Sequence, residues 1–143
     1  MPRIKIMQPD TFQFSSMIPV RITDINYGGH VGNDSILSII HEARMQFLHH
    51  YGYTEMDFEG VGMIMSDVAI EFKNELFYGD TIKVSVAITE ISKVSFALYY
   101  KLESATTSQP VIAAIARTGM VCYNYGAKKM TAVPEKIKNR FTQ

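Results

Sequence analysis

Only one cysteine, Cys122, occurs in the 143 residues. An intrachain disulfide is therefore excluded, as is a cysteine-based zinc cluster. Cys122 is expected as a small apolar core side chain in a strand, not as a reactive thiol. Neither charge is in excess: fourteen Lys and Arg balance fourteen Asp and Glu, with no run of either sign. Nucleic acids and anionic membrane surfaces are held by basic patches or stripes, so neither is an expected partner. No apolar run approaches the roughly 18 residues that span a bilayer. The opening MPRIKIMQPD interrupts its apolar residues with charge or proline every few positions, whereas an export leader needs a continuous apolar stretch. Membrane insertion is thus not expected, and a cytoplasmic location is. Internal repeats, low-complexity tracts and a linker long enough to separate domains are also missing, which leaves one domain over residues 1–143.

What is present suffices for a core. With 47% hydrophobic residues, a chain of this length buries roughly two thirds of its unfolded surface. Residues 12–23 carry β-formers in short alternation, with Pro19 confined to an edge, a strand start or a bulge. DINYGGHVGND reads as a tight loop. Over 34–51 the period changes. Ile36, Ile39, Ile40, Ala43 and Phe47 follow helical spacing, while Leu37, Met45 and Leu48 widen the stripe until the helix is expected to be surrounded by protein. Asn33 or Asp34 is the expected N-cap, with Gly52 just past the helix end. Alternation then returns over 63–73, 82–89 and 94–102, and 111–124 is rich in Val, Ile and Ala. One long helix followed by short-linked strands predicts an α+β fold with an antiparallel sheet packed on the helix. Apolar residues on the other sheet face, among them Ala97, Tyr99 and Ala113, together with an open strand edge, suggest a homo-oligomer, either a dimer or a dimer of dimers.

The segment VRITDINYGGHVGNDSILSIIHEAR, residues 20–44, resembles the acyl-CoA thioesterase superfamily that includes 4-hydroxybenzoyl-CoA thioesterase and the acyl-ACP thioesterases. The matching positions are Asp24, Asn26, Gly29, His30, Val31, Asn33 and Glu42-Ala43-Arg44, followed by Gly79-Asp80 and Val133-Pro134. The resemblance implies the hotdog fold, a curved antiparallel sheet of about five strands wrapped around one long central helix. It also implies hydrolysis of an acyl-CoA or acyl-ACP thioester, with no cofactor beyond the coenzyme A carried by the substrate. One position departs from the pattern. Where the 4-hydroxybenzoyl-CoA branch has its catalytic carboxylate, this chain has Asn26, and an amide is neither nucleophile nor base.

Thioester hydrolysis requires fixed donors for the carbonyl oxygen and a group that takes a proton from water. Gly28 and Gly29, just before a helix, are candidates for presenting backbone N–H groups, with the N–H of Gly29 or His30 as the donor. His30 is the candidate proton acceptor, Asp24 its orienting partner, and Asn26 a group that positions carbonyl or water. Glu42, or Asp67 from a second copy of the chain, is the candidate carboxylate base. Gly28, Gly29, Asn33 and Asp67 are the expected substrate-side residues.

Each has a structural rival. His30 can cap the helix, Asp24 can tie down the loop, Glu42 can pair with Arg44, and Asp67 can face solvent or an interface. Met45, Phe47, Met63 and Met65 are either tunnel lining or ordinary core. A metal is not expected: His41, His49 and His50 share no helix face with a carboxylate set. Two other readings of the chain stand beside hydrolysis, a non-catalytic acyl-CoA-binding protein and a 3-hydroxyacyl-thioester dehydratase or hydratase.

Overall fold

The computed structural model describes residues 3–106 and 108–142. Its elements run β1 (Phe14–Pro19), a 3-10 turn (Ile22–Asp24), α1 (Asn33–His50), β2 (Gly62–Phe72), β3 (Thr81–Thr89), β4 (Ser95–Ser104), β5 (Val111–Asn124), β6 (Lys129–Met130) and α2 (Glu135–Phe141). All pairings are antiparallel. The main path of the sheet is β1-β3-β4-β5-β2, and β6 adds two residues to β5. The long helix and the curved antiparallel sheet match the expected architecture.

Alternation dictates what the sheet gives to the helix. Val84, Val86 and Ile88 of β3, Leu98, Tyr100 and Leu102 of β4, and Ala114, Ala116 and Met120 of β5 are buried in one core with Ile36, Ile39, Ile40, Ala43, Phe47 and Leu48 of α1. Register explains the coherence: Val86 sits opposite Tyr100, and Tyr100 opposite Ala116, so whole rows face the helix together. Cys122 lies in this core, as expected, and burial pushes its thiol up to about 11. Gly52, at φ +85°, ends α1 in the left-handed conformation that glycine adopts without strain.

Three expectations are corrected. The N-cap is Gly32, with no side-chain cap bond, and Asn33 and Asp34 are the first helical residues. The helix is buried on one side only; Leu37, Ser38, His41, Glu42 and Met45 are exposed along the other. The apolar outer face of the sheet is covered from within the chain: Ile6 and Phe12 of the N-terminal segment pack on Ala87, Ala97 and Tyr99, while Ala113 belongs to the main core.

The segment after β6 holds α2, which the alternation of the strands gave no reason to expect. Ile137 and Phe141, four residues apart, bury against Val133, Phe47 and Tyr51. No helix among the described residues is long and apolar enough to cross a membrane.

Candidate active site

The loop entering α1 is fastened at both ends. Asp24, only 3% exposed, spends both carboxylate oxygens on Arg21: Oδ2 accepts from the backbone N–H at 2.8 Å and from Nε at 3.4 Å, and Oδ1 accepts from Nη2 at 3.1 Å. Its carbonyl accepts from the Gly32 N–H at 3.1 Å. Ile25 and Val31 form an antiparallel bridge, and the Val31 N–H donates to the Leu76 carbonyl at 2.8 Å, which ties the loop to the β2–β3 connection. Asp24 thus fixes the start of α1 and does not orient His30.

Inside this bridge the chain reverses direction. The Asn26 N–H donates to the His30 carbonyl at 2.9 Å, and the Gly29 N–H to the Asn26 carbonyl at 3.1 Å. Gly29 adopts φ +87°, which requires glycine. Asn26 Oδ1 accepts from the Gly28 N–H at 2.9 Å. Both glycine amides are therefore occupied by the turn, and the expectation that Gly29 donates to a substrate oxygen is corrected. The His30 N–H, the other donor considered, has no acceptor among the described residues, and further donors lie at the helix start. The first i→i−4 bond of α1 runs from Ile36 N–H to the Gly32 carbonyl at 3.1 Å, so the amides of Asn33, Asp34 and Ser35 leave the helix start without intrahelical acceptors. The helix dipole adds positive potential at the same place.

His30 Nδ1 is 3.3 Å from the Val31 carbonyl oxygen. When that nitrogen carries the proton it donates there, and Nε2 keeps a free lone pair. Nε2 lies 3.9 Å from Glu75 Oε1, beyond hydrogen-bond reach. A cavity of about 250 Å³ opens beside it, with His30, Asn33 and Ile36 on one wall and Phe72, Lys73 and Leu76 on the other. A partly exposed imidazole and the start of a long helix share one cavity.

The sequence model of the thioesterase-like superfamily matches residues 20–141. This chain belongs to that superfamily. It is 30% identical over 123 residues to the 1,4-dihydroxy-2-naphthoyl-CoA hydrolase of Microcystis aeruginosa, covering 84% of this chain and 86% of the relative. The fold superposes on the 1,4-dihydroxy-2-naphthoyl-CoA thioesterase of Synechocystis with a TM-score of 0.78 at 22% identity, over 90% of this chain and 94% of the other. It also superposes on an aspartate-to-asparagine variant of 4-hydroxybenzoyl-CoA thioesterase in complex with 4-hydroxybenzoyl-CoA, with a TM-score of 0.79 at 15% identity over 90% and 98% of the two chains. The hotdog fold follows from these superpositions.

The candidate loop residues Asn26, Gly28, Gly29, His30 and Asn33 are brought together, with Asp24 behind them; within the chain Glu42 and Asp67 stand apart from them. Glu42 accepts from Gln46 Nε2 at 2.8 Å and lines a separate cavity of about 410 Å³ between α1 and β1, along with Met17, Arg21, His41 and Met45. It does not pair with Arg44, because residues two apart on a helix face different directions. Asp67, 69% exposed, follows a bulge at Ser66 and stands on the sheet face away from α1. Its Oδ1 accepts from the Gly119 N–H at 3.0 Å and from Arg117 Nη1 at 3.4 Å. A Cβ at Gly119 would sit 2.5 Å from that oxygen, so the glycine is what admits the carboxylate. Of the four residues considered as tunnel lining, Phe47 and Met63 are core, whereas Met45 and Met65 are partly exposed.

Sequence reasoning missed the partner of Arg44. The guanidinium, 6% exposed, donates from Nε to Glu55 Oε2 at 2.9 Å and from Nη1 to Tyr100 Oη at 3.2 Å, and Tyr100 Oη shares a bond with Thr118 Oγ1 at 2.8 Å. His41 Nε2 meets the other Glu55 oxygen at 3.0 Å. Burial raises the Glu55 carboxyl, but the bonds from His41 and Arg44 outweigh it and hold the group below its ordinary range. The signal was present: Arg44 falls on the face of Ile40, Ala43, Phe47 and Leu48, where a cation requires a carboxylate.

Proposed function

We propose that the protein hydrolyses coenzyme A thioesters to a free carboxylic acid and coenzyme A, with the reacting carbonyl in the cavity between His30 and the start of α1. The observation that carries this is that the His30 imidazole and the start of α1, where Asn33 has an amide without an intrahelical acceptor, border one cavity. The Microcystis relative is named for coenzyme A thioester hydrolysis, which supports coenzyme A as the carrier of the acyl group. A substrate of this kind fits a cytoplasmic protein.

In this reading the thioester oxygen accepts from the helix-start amides, whose dipole stabilises the negative charge gained in the tetrahedral intermediate. Water is the nucleophile. His30 Nε2 takes its proton as the oxygen bonds to the carbonyl carbon, the C–S bond breaks, and the departing sulfur takes a proton. Asn26 positions the loop through Gly28 and offers its NH₂ group to the substrate or the attacking water. The catalytic carboxylate of the 4-hydroxybenzoyl-CoA branch has no counterpart at this position.

The active form in this reading is a homodimer. β2 ends the sheet with an edge eleven residues long, and Ile64, Met65 and Val68 on it are exposed. Long apolar edges call for cover, and pairing with a second β2 provides it.

Asn26 favours one other reading, a protein that binds the thioester without cleaving it. Thiol release from a panel of coenzyme A thioesters, beginning with aroyl groups, separates the two. Release at catalytic rates supports hydrolysis; saturable binding with no thiol released rejects it in favour of the binding protein.

A further inference from the structure

Resting on the coenzyme A reading, we infer that the cleft between the N-terminal segment and the end of β2 holds the phosphates of the coenzyme A moiety. The cleft has a volume of about 440 Å³ and is lined by Arg3, Ile4, Lys5, Glu71, Phe72 and Lys73. Three cations thus line a cleft with one carboxylate, in a chain whose charges balance overall. That carboxylate is already engaged: Glu71 Oε1 accepts from the Ile6 N–H at 3.2 Å, and Oε2 lies 3.1 Å from Lys73 Nζ. Neither Arg3 nor Lys5 makes a salt bridge within 4 Å among the described residues, although the charge of Arg3 helps to lower the Glu71 carboxyl. Their charge is open to a ligand, and phosphate oxygens are what such groups bind most strongly.

Position makes the inference specific to a two-ended substrate. Phe72 and Lys73 line both this cleft and the cavity that contains His30. The two spaces therefore flank the end of β2, one offering the helix start and the imidazole, the other offering cations. A coenzyme A thioester has the same division, with an uncharged thioester at one end of the pantetheine arm and phosphates at the other. The Phe72 ring, 42% exposed, gives apolar surface between them. The cations are also held in place. Ile6 and Phe12 pack on Ala87, Ala97 and Tyr99, and the Ile6 N–H is bonded to Glu71, so the segment carrying Arg3 and Lys5 is tied to the sheet. A preordered site loses less entropy on binding.

The test compares the full chain with the R3E/K5E double variant. One arm measures kcat/KM for an acyl-CoA and for the same acyl group on pantetheine, which lacks phosphate. The other measures binding of adenosine 3′,5′-bisphosphate by calorimetry at two salt concentrations. The double variant is expected to lower the CoA-to-pantetheine preference about tenfold, through KM, and to weaken the bisphosphate and its salt dependence together. An unchanged preference and unchanged bisphosphate binding would overturn the phosphate site. If no thioester is cleaved but bisphosphate binding is still lost in the variant, the phosphate site stands and the hydrolase reading falls.

Discussion

Asn26 Oδ1 and His30 Nε2 close on the same side of Gly28, lying 3.3 and 3.4 Å from the point where a Gly28 side chain would begin. The missing methyl group lets the amide and the imidazole share one short turn, and the geometry of the site depends on it. Gly28→Ala would press on both groups at once. Gly28 is exposed and takes no left-handed conformation, so folding should barely change. The expected outcome is a fall in kcat of roughly 10 to 100-fold, since small misplacements at a reacting centre are costly, with a melting temperature within a few degrees of wild type. Steady-state kinetics and a thermal melt on the same samples check this.

Asn26→Asp places a carboxylate where the 4-hydroxybenzoyl-CoA branch has one. The bond from the Gly28 N–H survives, because either oxygen of the new group can accept it. An aspartate ionises near pH 4 when unperturbed, about 3.9, well below the range of an imidazole. The variant is expected to fold normally and to retain hydrolysis at pH values where the wild-type rate has already dropped. A profile of kcat/KM from about pH 4 to pH 9 for the two proteins gives the answer; superimposable acid limbs would count against the role assigned to this loop.

Among the described residues, Glu55 is the only carboxylate bonded to the buried Arg44. Removing it by Glu55→Ala leaves a guanidinium buried without its counter-ion and is expected to destabilise the fold by about 2–4 kcal/mol. Arg44→Met, which removes the charge itself, should cost less. The pH dependence has a definite sign. A carboxyl held below its ordinary value of 4.5 in the folded chain stabilises that chain above this value, and the contribution is lost as pH falls through the lowered one. Chemical denaturation at neutral and acid pH should therefore show wild-type stability dropping below about pH 4.5, and Glu55→Gln should flatten that drop.

The β2 edge makes a prediction about assembly. Ile64→Lys with Val68→Lys adds two charges to an exposed strand edge, a change that opposes strand pairing. Light scattering should find a dimer for the wild type and a monomer for the double variant. A wild-type monomer would rule the homodimer out.

Much of this was legible in the chain itself. Alternation over residues 82–89 and the Val, Ile and Ala content of 111–124 placed β3 and β5 to within a residue. The tight loop and the helix behind it also stand where composition indicates. Partnerships are harder to read. Glu42 is a neighbour of Arg44 in sequence, yet the helix turns the two apart, and the true partner arrives from beyond the Gly52 turn. The outer sheet face reads as needing a second protomer, because nothing in the period of residues 3–13 announces that Ile6 and Phe12 return over Ala97. The bulge at Ser66 and the bond from the Gly119 N–H that fixes Asp67 are likewise not announced by the alternation of β2. Periodicity reports which face of an element is buried; it does not report what arrives to bury it.

The most direct test is thiol release from a coenzyme A thioester by wild type and His30→Ala side by side. Cys122 is fully buried, with its thiol pushed up to about 11, so the native chain adds no background to the assay. His30 makes a single bond of 3.3 Å and is partly exposed, so its removal should leave the circular dichroism and the oligomer unchanged. If His30 is the proton acceptor, kcat falls by about 100-fold or more. Release that is indifferent to the loss of His30, or absent from both proteins across the panel, would contradict that role.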